Sequence, residues 1–579
     1  MYRSWLPLLV VALCLFSANL YAQTSVNVEI SGIDKILEDN VRLYLSIEQQ
    51  KNHPLISDGR LARLHNKATK EISAALQPYG YYRPTINASL EKTTTGEWLA
   101  SYEIDPGPPL LIAEFNFSVS REMGEDPEFK QLIEQRSPQV GSVFTHLEYE
   151  SFKSDLAKLA SERGYFRAVF TDRRIEINLD DYVARIYLDY DGGPRFNFGE
   201  VNLRQDVLKP EFLQRFIPFQ QGDPYTLGEL VELQQVLNDT DYFQTVEVSP
   251  GKLLADSNEI PIDVSLTPRK ENRYTFGLGY GTDTGARTKV GWQRPRVNDS
   301  GHRFDSEIGL SEVGYNLGAN YRVPVLNPRT DQLVYSATRS REDLDDFESE
   351  LSAVGVSLYR VRGEWRETLS IDYERENFEI GNDTGDTSLL IPGASWSRTW
   401  GRGFIFVLDG LRFDLSLRAA DEGFGSDVGF GQVYSSLKFI TSLGARNRFI
   451  ARGSIGSTTT SEFEKLPASI RFFTGGSQSV RGFKYQSLGP EDDSGDVIGG
   501  RRLLTGSIEF ERALNDRWGV AVFYDIGNAV EDFGDDLERG AGFGVRWKSP
   551  VGPVRIDVAR AISLDDRPWR LHINIGPDL

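Results

Sequence analysis

The residues of this chain best suited to directed chemistry gather in one stretch, Gly475-Gly476-Ser477-Gln478-Ser479-Val480-Arg481-Gly482-Phe483-Lys484-Tyr485, inside a segment, 457–500, that lacks strand alternation. Connections of that length are functional or disordered. An arginine set between apolar residues and a glycine fits ordered packing against a wall, and a guanidinium taken out of water requires carboxylates around it. In the segments that follow, Trp518, Val520, Val522 and Tyr524 recur at every second position, which puts Phe523 and Asp525 on the opposite face, with Glu509 facing the same way on the preceding strand. Arg481 is therefore expected to be clamped by Glu509 and Asp525 and stacked on Phe523, with Gly482 allowing close backbone approach. Val480, Arg481, Gly482 and Phe483 then form an internal strut. The competing expectation is an exposed loop whose arginine meets solvent.

Bond-breaking chemistry has no such constellation. His53, His65, His146, His302 and His572 are scattered without metal-ligand spacing, and neither a zinc-protease helix motif nor a Gly-x-Ser-x-Gly elbow occurs. No enzyme, metal site or cofactor is expected. Gly277-Leu278-Gly279-Tyr280-Gly281 and Gly540-Ala541-Gly542-Phe543-Gly544 imitate phosphate loops but lie in alternating strands rather than before helices. A net charge of −20 argues against a nucleic-acid partner.

The elements that position the strut begin at Arg273, where the period becomes two. Tyr274, Phe276, Leu278 and Tyr280 share one face, and Thr275, Gly277 and Gly279 the other. Glycine-rich strands holding many of the 33 Phe and 24 Tyr, with no long apolar helix, predict an outer-membrane β-barrel of roughly sixteen strands over residues 273–579, the loop 457–500 folding inward. Short turns such as 298–301, 326–329, 361–364, 513–516 and 549–553 belong on the periplasmic side. Long acidic loops are expected at 341–350, 377–387, 420–427 and 527–540. Their carboxylates, Asp345, Asp346, Asp535 and Asp536 among them, read as a solvated rim, with divalent cations beside lipid phosphates as the alternative.

A closed barrel must pair its first and last strands. Here Gly277 and Gly279 weaken the first edge (Tyr274, Thr275, Phe276, Gly277, Leu278, Gly279), and Gly576-Pro577 curtails the last (His572, Ile573, Asn574, Ile575, Gly576). A seam so weakly zipped can open sideways and offer a strand edge to an incoming strand, so that backbone hydrogen bonding drives insertion without ATP. Cysteines at Thr275 and Asn574 are expected to lock it, register permitting.

Ahead of the barrel, one unit is written three times. Gly80-Tyr81-Tyr82, Gly164-Tyr165-Phe166 and Asp241-Tyr242-Phe243 recur about 80 residues apart, in the size range of a small domain. Each follows a helical apolar pattern, and Thr145 with Glu148 and Thr226 with Glu229 read as capping boxes. The unit is strand, helix, helix, strand, strand, with boundaries at 24–106, 108–192 and 194–268. Residues 1–22 read as a secretory signal peptide because their apolar run is too short to span a bilayer.

Three such modules resemble polypeptide-transport-associated (POTRA) domains. Together with Val480-Arg481-Gly482-Phe483, Asp525-Ile526-Gly527 and the segment 542–557, the mature chain resembles the BamA/TamA superfamily of outer-membrane assembly proteins, and with three modules rather than five it is most similar to the TamA branch, barrel subunits of the translocation and assembly module. The resemblance implies a bacterial outer-membrane location with the POTRA modules in the periplasm. It also implies a lateral gate at the seam, and assembly or secretion of autotransporter-type clients. The implied partners are a TamB-like inner-membrane-anchored protein docked on the POTRA modules, unfolded outer-membrane proteins and outer-membrane lipid. A two-partner secretion pore and a passive porin are the alternatives. The modules themselves read either as recognition surfaces or as spacers.

Overall fold

The computed structural model describes residues 26–53, 56–94, 96–253, 256–402, 407–549 and 552–575, so the expected signal peptide and Gly576 lie outside the described residues. The chain divides into two compact units. One runs through Glu200 and adds Phe219–Leu230 and Pro250–Ile262; the other holds the rest of the third module and the barrel.

The first module runs β1 (Val26–Ser31), α1 (Lys35–Tyr44), α2 (Ser46–Gln50), α3 (Asp58–Leu76), β2 (Thr85–Lys92) and β3 (Trp98–Asp105). The second runs β4 (Leu111–Val119), α4 (Arg121–Glu125), α5 (Pro127–Arg136), α6 (His146–Glu162), β5 (Val169–Asn178) and β6 (Val183–Asp191). The third has β7 (Asn197–Arg204), α7 (Pro210–Gln214), α8 (Leu227–Asp239), β8 (Phe243–Pro250) and β9 (Glu259–Pro268). In each three-stranded sheet the last strand in sequence lies in the centre, in the orders β1-β3-β2, β4-β6-β5 and β7-β9-β8. The central strands bury alternate residues: Ala100, Tyr102 and Ile104; Ala184, Ile186, Leu188 and Tyr190; Ile260, Ile262, Val264 and Leu266. One sheet face is therefore apolar and the helices cover it, as Leu61, Leu64, Ala68 and Ile72 of α3 do in the first module. The Thr145 hydroxyl accepts the Glu148 N–H at 3.2 Å and the Thr226 hydroxyl the Glu229 N–H at 3.3 Å, starting α6 and α8.

The repeated tripeptides sit at the joints. Gly80 and Gly164 adopt φ of +89° and +84°, the left-handed turn that stops a helix, and Asp241 occupies the same place at +62°, one of the few non-glycine residues able to do so. Gly80 O then accepts the Leu110 N–H at 2.8 Å, and the Tyr82 hydroxyl lies 2.9 Å from His146 Nε2 in the second module. At the next joint Gly164 O accepts the Phe196 N–H at 2.9 Å, while Phe166 packs edge-on against Phe196 and Tyr225. At the last, the Tyr242 hydroxyl donates to Gly301 O at 2.6 Å in a turn of the barrel, and the Arg303 guanidinium lies over its ring.

The barrel strands are β10 (Arg273–Gly281), β11 (Gly285–Arg294), β12 (Arg303–Ser311), β13 (Gly314–Pro324), β14 (Asp331–Asp343), β15 (Phe347–Arg362), β16 (Trp365–Ile380) and β17 (Asp383–Arg402). They continue as β18 (Asp409–Ala420), β19 (Phe430–Leu443), β20 (Asn447–Thr459), β21 (Arg502–Ala513), β22 (Trp518–Val530), β23 (Glu538–Ser549), β24 (Gly552–Ala561) and β25 (Trp569–Ile575). The sixteen strands form one sheet in sequence order, each pairing antiparallel with the next. Phe276 and Leu278 are 80% and 88% exposed, as a lipid-facing band requires. No helix among the described residues is long and apolar enough to cross a membrane.

Two of the expected acidic loops are strand. Residues 341–350 form the tip of the β14–β15 hairpin with only 344–346 as turn, and 377–387 form the tip of β16–β17 around Gly381 and Asn382. The reason lies in cross-strand pairing: Arg341 meets Glu348 at 2.8 Å, Arg339 meets Glu350, and Arg375 meets Asp386 at 2.6 Å. At 3.3 Å per residue a sixteen-residue strand such as β15 is about 50 Å long and, tilted by about 40°, rises about 40 Å, beyond the apolar band of about 25 Å, so its charged end stands in water. Residues 421–429 and 531–537 are the loops at the other two places.

Candidate functional site

The long connection, 460–501, folds back onto the inner wall, where Val480, Arg481 and Phe483 are 0%, 3% and 5% exposed. Strand parity places the partners of Arg481: Ile508, Val522 and Tyr524 face outward, and Ser507, Glu509, Phe523 and Asp525 face inward. Arg481 Nε lies 2.7 Å from Asp525 Oδ2 and Nη2 lies 2.9 Å from Oδ1, a bidentate pair, and the Arg481 backbone N–H donates to the same carboxylate at 3.1 Å. Its Nη1 reaches Glu509 at 2.7 Å and Asp557 at 3.2 Å. The guanidinium carbon stands 3.3 Å from the Phe523 ring centre. At Gly482, φ is +102° and a Cβ would come within 2.8 Å of Ala561 N; at Gly540 a side chain would overlap the Arg481 carbonyl. The backbone of the motif thus lies flat on β23 and β24.

Beyond the residues read from the sequence, the wall carries a longer relay. Arg546 pairs with Glu509 at 2.5 Å, Glu511 at 2.7 Å and Asp557 at 2.6 Å; Glu511 also takes Arg448 at 2.5 Å. Arg452 lies 4.0 Å from Asp525. Four buried carboxylates, Glu509, Glu511, Asp525 and Asp557, thereby face the guanidinium groups of Arg448, Arg452, Arg481 and Arg546. Arg555 of β24, opposite Arg546, and Lys438 of β19, opposite Arg452, face the same cluster, and the pairing of opposite charges is what makes so much buried charge tolerable. Asp557 had an inward parity in the sequence; that it sits beside Arg481 follows from the β23–β24 register, with Gly544 opposite it. A second arginine pins the outer part of the loop: Arg471 reaches Asp383 at 2.9 Å and donates to Glu464 O, Leu466 O and Ile498 O, with the Phe463 ring 4.8 Å away.

The seam residues are placed differently from one another. β10 and β25 share no ladder among the described residues; the Ile573 N–H of β25 donates at 3.2 Å to the hydroxyl of Thr282, in the turn that follows β10. The Gly281 position lies against Ile573 O. β25 thus meets the far end of β10, and Asn574, the residue after Ile573, falls near Gly281. Tyr274, Thr275 and Phe276 stand further down the edge, without a described partner on β25, while Gly277, Leu278 and Gly279 line a cavity of about 970 Å³ that Ile575 also reaches. The expected Thr275–Asn574 pair is therefore out of register, because the stagger of a tilted barrel shifts the last strand along the first. His572 is 1% exposed and faces inward. Among the described residues, no three His, Cys, Asp or Glu side chains come together as a metal-binding group.

Comparison with known families fits this geometry. The family model of the Omp85 superfamily domain matches residues 261–578. The chain belongs to the Omp85 superfamily. Residues 27–106 match the model described as POTRA domain TamA domain 1, and residues 196–269 match the POTRA model described as surface antigen variable number repeat. Among Omp85 relatives, the outer membrane protein assembly factor BamA of Neorickettsia risticii is 22% identical over 537 residues, 84% of this chain and 68% of its own length. BamA of Nitratidesulfovibrio vulgaris is 22% identical over 355 residues, 58% of this chain, which spans 44% of that relative. The crystal structure of BamA from Haemophilus ducreyi lacking POTRA domains 1–3 superposes with a TM-score of 0.69 at 18% identity, covering 81% of this chain and 99% of that one, a likeness of fold.

Proposed function

We propose that this Omp85 protein is an outer-membrane insertase or translocase of the TamA type. Unfolded β-barrel clients, autotransporters in particular, are assembled at the seam between β25 and β10, with the POTRA modules in the periplasm and a TamB-like inner-membrane-anchored partner docked on them. The observation that carries the reading is the seam itself: in a sheet whose neighbours pair over long registers, β10 and β25 share no ladder among the described residues. An unpaired edge is a template for an incoming strand. The match of the first module to TamA domain 1 supports the TamA branch over BamA, as does the presence of three modules. The strut braces the wall beside the seam: Arg481 is held by Glu509, Phe523 and Asp525, Gly482 by His572, and Val480 and Phe483 pack with Ala561.

The test is a cysteine pair, Gly281→Cys with Asn574→Cys, whose side chains share the inner face. In the oxidised full-length protein, client assembly in vesicles stops and returns on reduction. Undiminished assembly by a protein verified as fully oxidised would overturn the seam as the route. Crosslinking from the first module in intact cells identifies the docked partner; recovery of no inner-membrane-anchored protein would remove the TamB-like assignment.

A further inference from the structure

The inward loop touches both edges of the seam at once. On the β10 side, the turn 282–284 carries Asp283, whose Oδ2 accepts the Ser477 backbone N–H at 3.0 Å and the Ser477 hydroxyl at 2.6 Å. On the β25 side, the Gly482 N–H donates to His572 Nε2 at 2.9 Å, so that nitrogen carries no proton; Nδ1 of the same ring faces Asp283 Oδ1 at 3.8 Å across the seam. Between the two contacts sits Arg481, fixed to β21, β22 and β24 by Glu509, Asp525 and Asp557. Arg452 of β20 also donates to Ser477 O. Those wall strands run without a break into β25 through the β24–β25 ladder.

We propose that residues 477–482 act as a clasp that holds the seam shut, with Ser477–Asp283 the bond that parts when it opens and His572 a positioning residue that seats the loop on the β25 edge. The asymmetry follows from what each end is attached to. Within 477–482 the loop is fastened to β21, β22 and β24, which are contiguous with β25, and its contacts farther along, Arg471–Asp383, Asn382–Asp492 and Lys484–Asp345, lie on the tips of β14–β17 rather than on the β10 edge. Toward β10 it holds through one carboxylate accepting two hydrogen bonds, and charge-assisted bonds of this kind are the strong ones. This inference deepens the seam reading of the function and rests on it for its biological meaning, though the contacts stand by themselves.

The test uses the full chain in planar bilayers, reading the fraction of time the pore conducts. Asp283→Ala raises that fraction about tenfold; Ser477→Ala, which keeps the backbone N–H bond to Asp283, raises it less, and the double variant raises it no further than Asp283→Ala, because Asp283 accepts both bonds. His572→Phe raises it less, and His572→Gln, which keeps an acceptor, restores the parent value. Oxidising Gly281→Cys with Asn574→Cys in the Asp283→Ala background abolishes the increase, which ties the current to the seam. An unchanged open fraction in both single variants, or a double variant multiplying the two effects, overturns the clasp. Should Asp283→Ala fail to fold, a disulfide between Asp283→Cys and Ser477→Cys gives the converse reading: oxidation lowers the open fraction about tenfold, and no change on oxidation overturns the proposal. A raised open fraction together with client assembly indifferent to the Gly281–Asn574 lock supports the clasp and removes lateral insertion. Assembly blocked by that lock with the open fraction unmoved by the variants does the reverse.

Discussion

The wall from β20 to β24 and the seam between β25 and β10 are built from the same kind of strand yet hold together by different means. In the wall, ladders of ten to twelve residue pairs are cross-braced by buried ion pairs that run from Arg448 through Glu511, Arg546 and Glu509 to Arg481. At the seam, backbone ladder gives way to a described bond from β25 to the turn after β10 and a loop that reaches to each side. The difference teaches where the cylinder yields. Separating wall strands exposes paired charges that cannot be left alone, whereas parting the seam breaks a few polar contacts whose groups water can satisfy.

The largest expected effect breaks the braced side. Arg481→Ala removes the bidentate partner of the buried Asp525 and leaves Glu509 to Arg546 alone, and should lower barrel stability by about 3–5 kcal/mol, read as a drop in the temperature at which the detergent-solubilised protein loses its compact electrophoretic form. Arg481→Lys keeps the charge without the fork and falls between; a lysine variant indistinguishable from the parent would contradict the bidentate account. Next, Asp557→Asn weakens a carboxylate shared by Arg481 and Arg546 and should cost about 1–3 kcal/mol. Combined with Arg546→Gln, its effect should be non-additive by about 0.5–3 kcal/mol; simple additivity would show that the two side chains do not act through one network. Smaller is the contrast in seam register: Gly281→Cys with Asn574→Cys oxidises readily, whereas Thr275→Cys with Asn574→Cys stays reduced. Equal oxidation of both pairs would mean that the edges slide past one another.

The smallest effect concerns the joint between the first two modules. Burial holds His146 below the ordinary histidine value, and its Nε2 lies by the Tyr82 hydroxyl. A base whose folded value is depressed binds fewer protons when folded, so its contribution is fully present above about pH 6.5 and is lost as pH falls through the folded value. Hydrogen exchange at the Leu110 amide, bonded to Gly80 O across that joint, should quicken on acidification beyond the intrinsic rate change, and His146→Phe should remove the dependence. Exchange following the intrinsic rate alone would sink this reading.

Much of the braced side was legible in the residues because a strand's parity is written locally. Trp518, Val520 and Val522 facing lipid force Phe523 and Asp525 inward, and hairpin neighbours such as β21 and β22 must pair, so Glu509 and Asp525 come together without further information. The joints were legible for a similar reason: a left-handed stop and an aromatic pair belong to a few consecutive residues. The hairpin tips misled because charged residues in a row look like loop until a partner strand supplies the opposite charge, as Glu348 does for Arg341.

What the sequence by itself determined is the period of each segment, hence the three modules, the sixteen strands and the inward face on which Arg481 finds its carboxylates. Only the tertiary structure decided that Asp557 and Arg546 join that network, that Ile573 of β25 returns beside Gly281 and Thr282 rather than beside Thr275, and that Asp283 and His572 come within reach of one loop. Parity needs only the alternation of side chains along one strand. Register across several strands, and the stagger with which the last strand returns to the first, depend on how all sixteen tilt together.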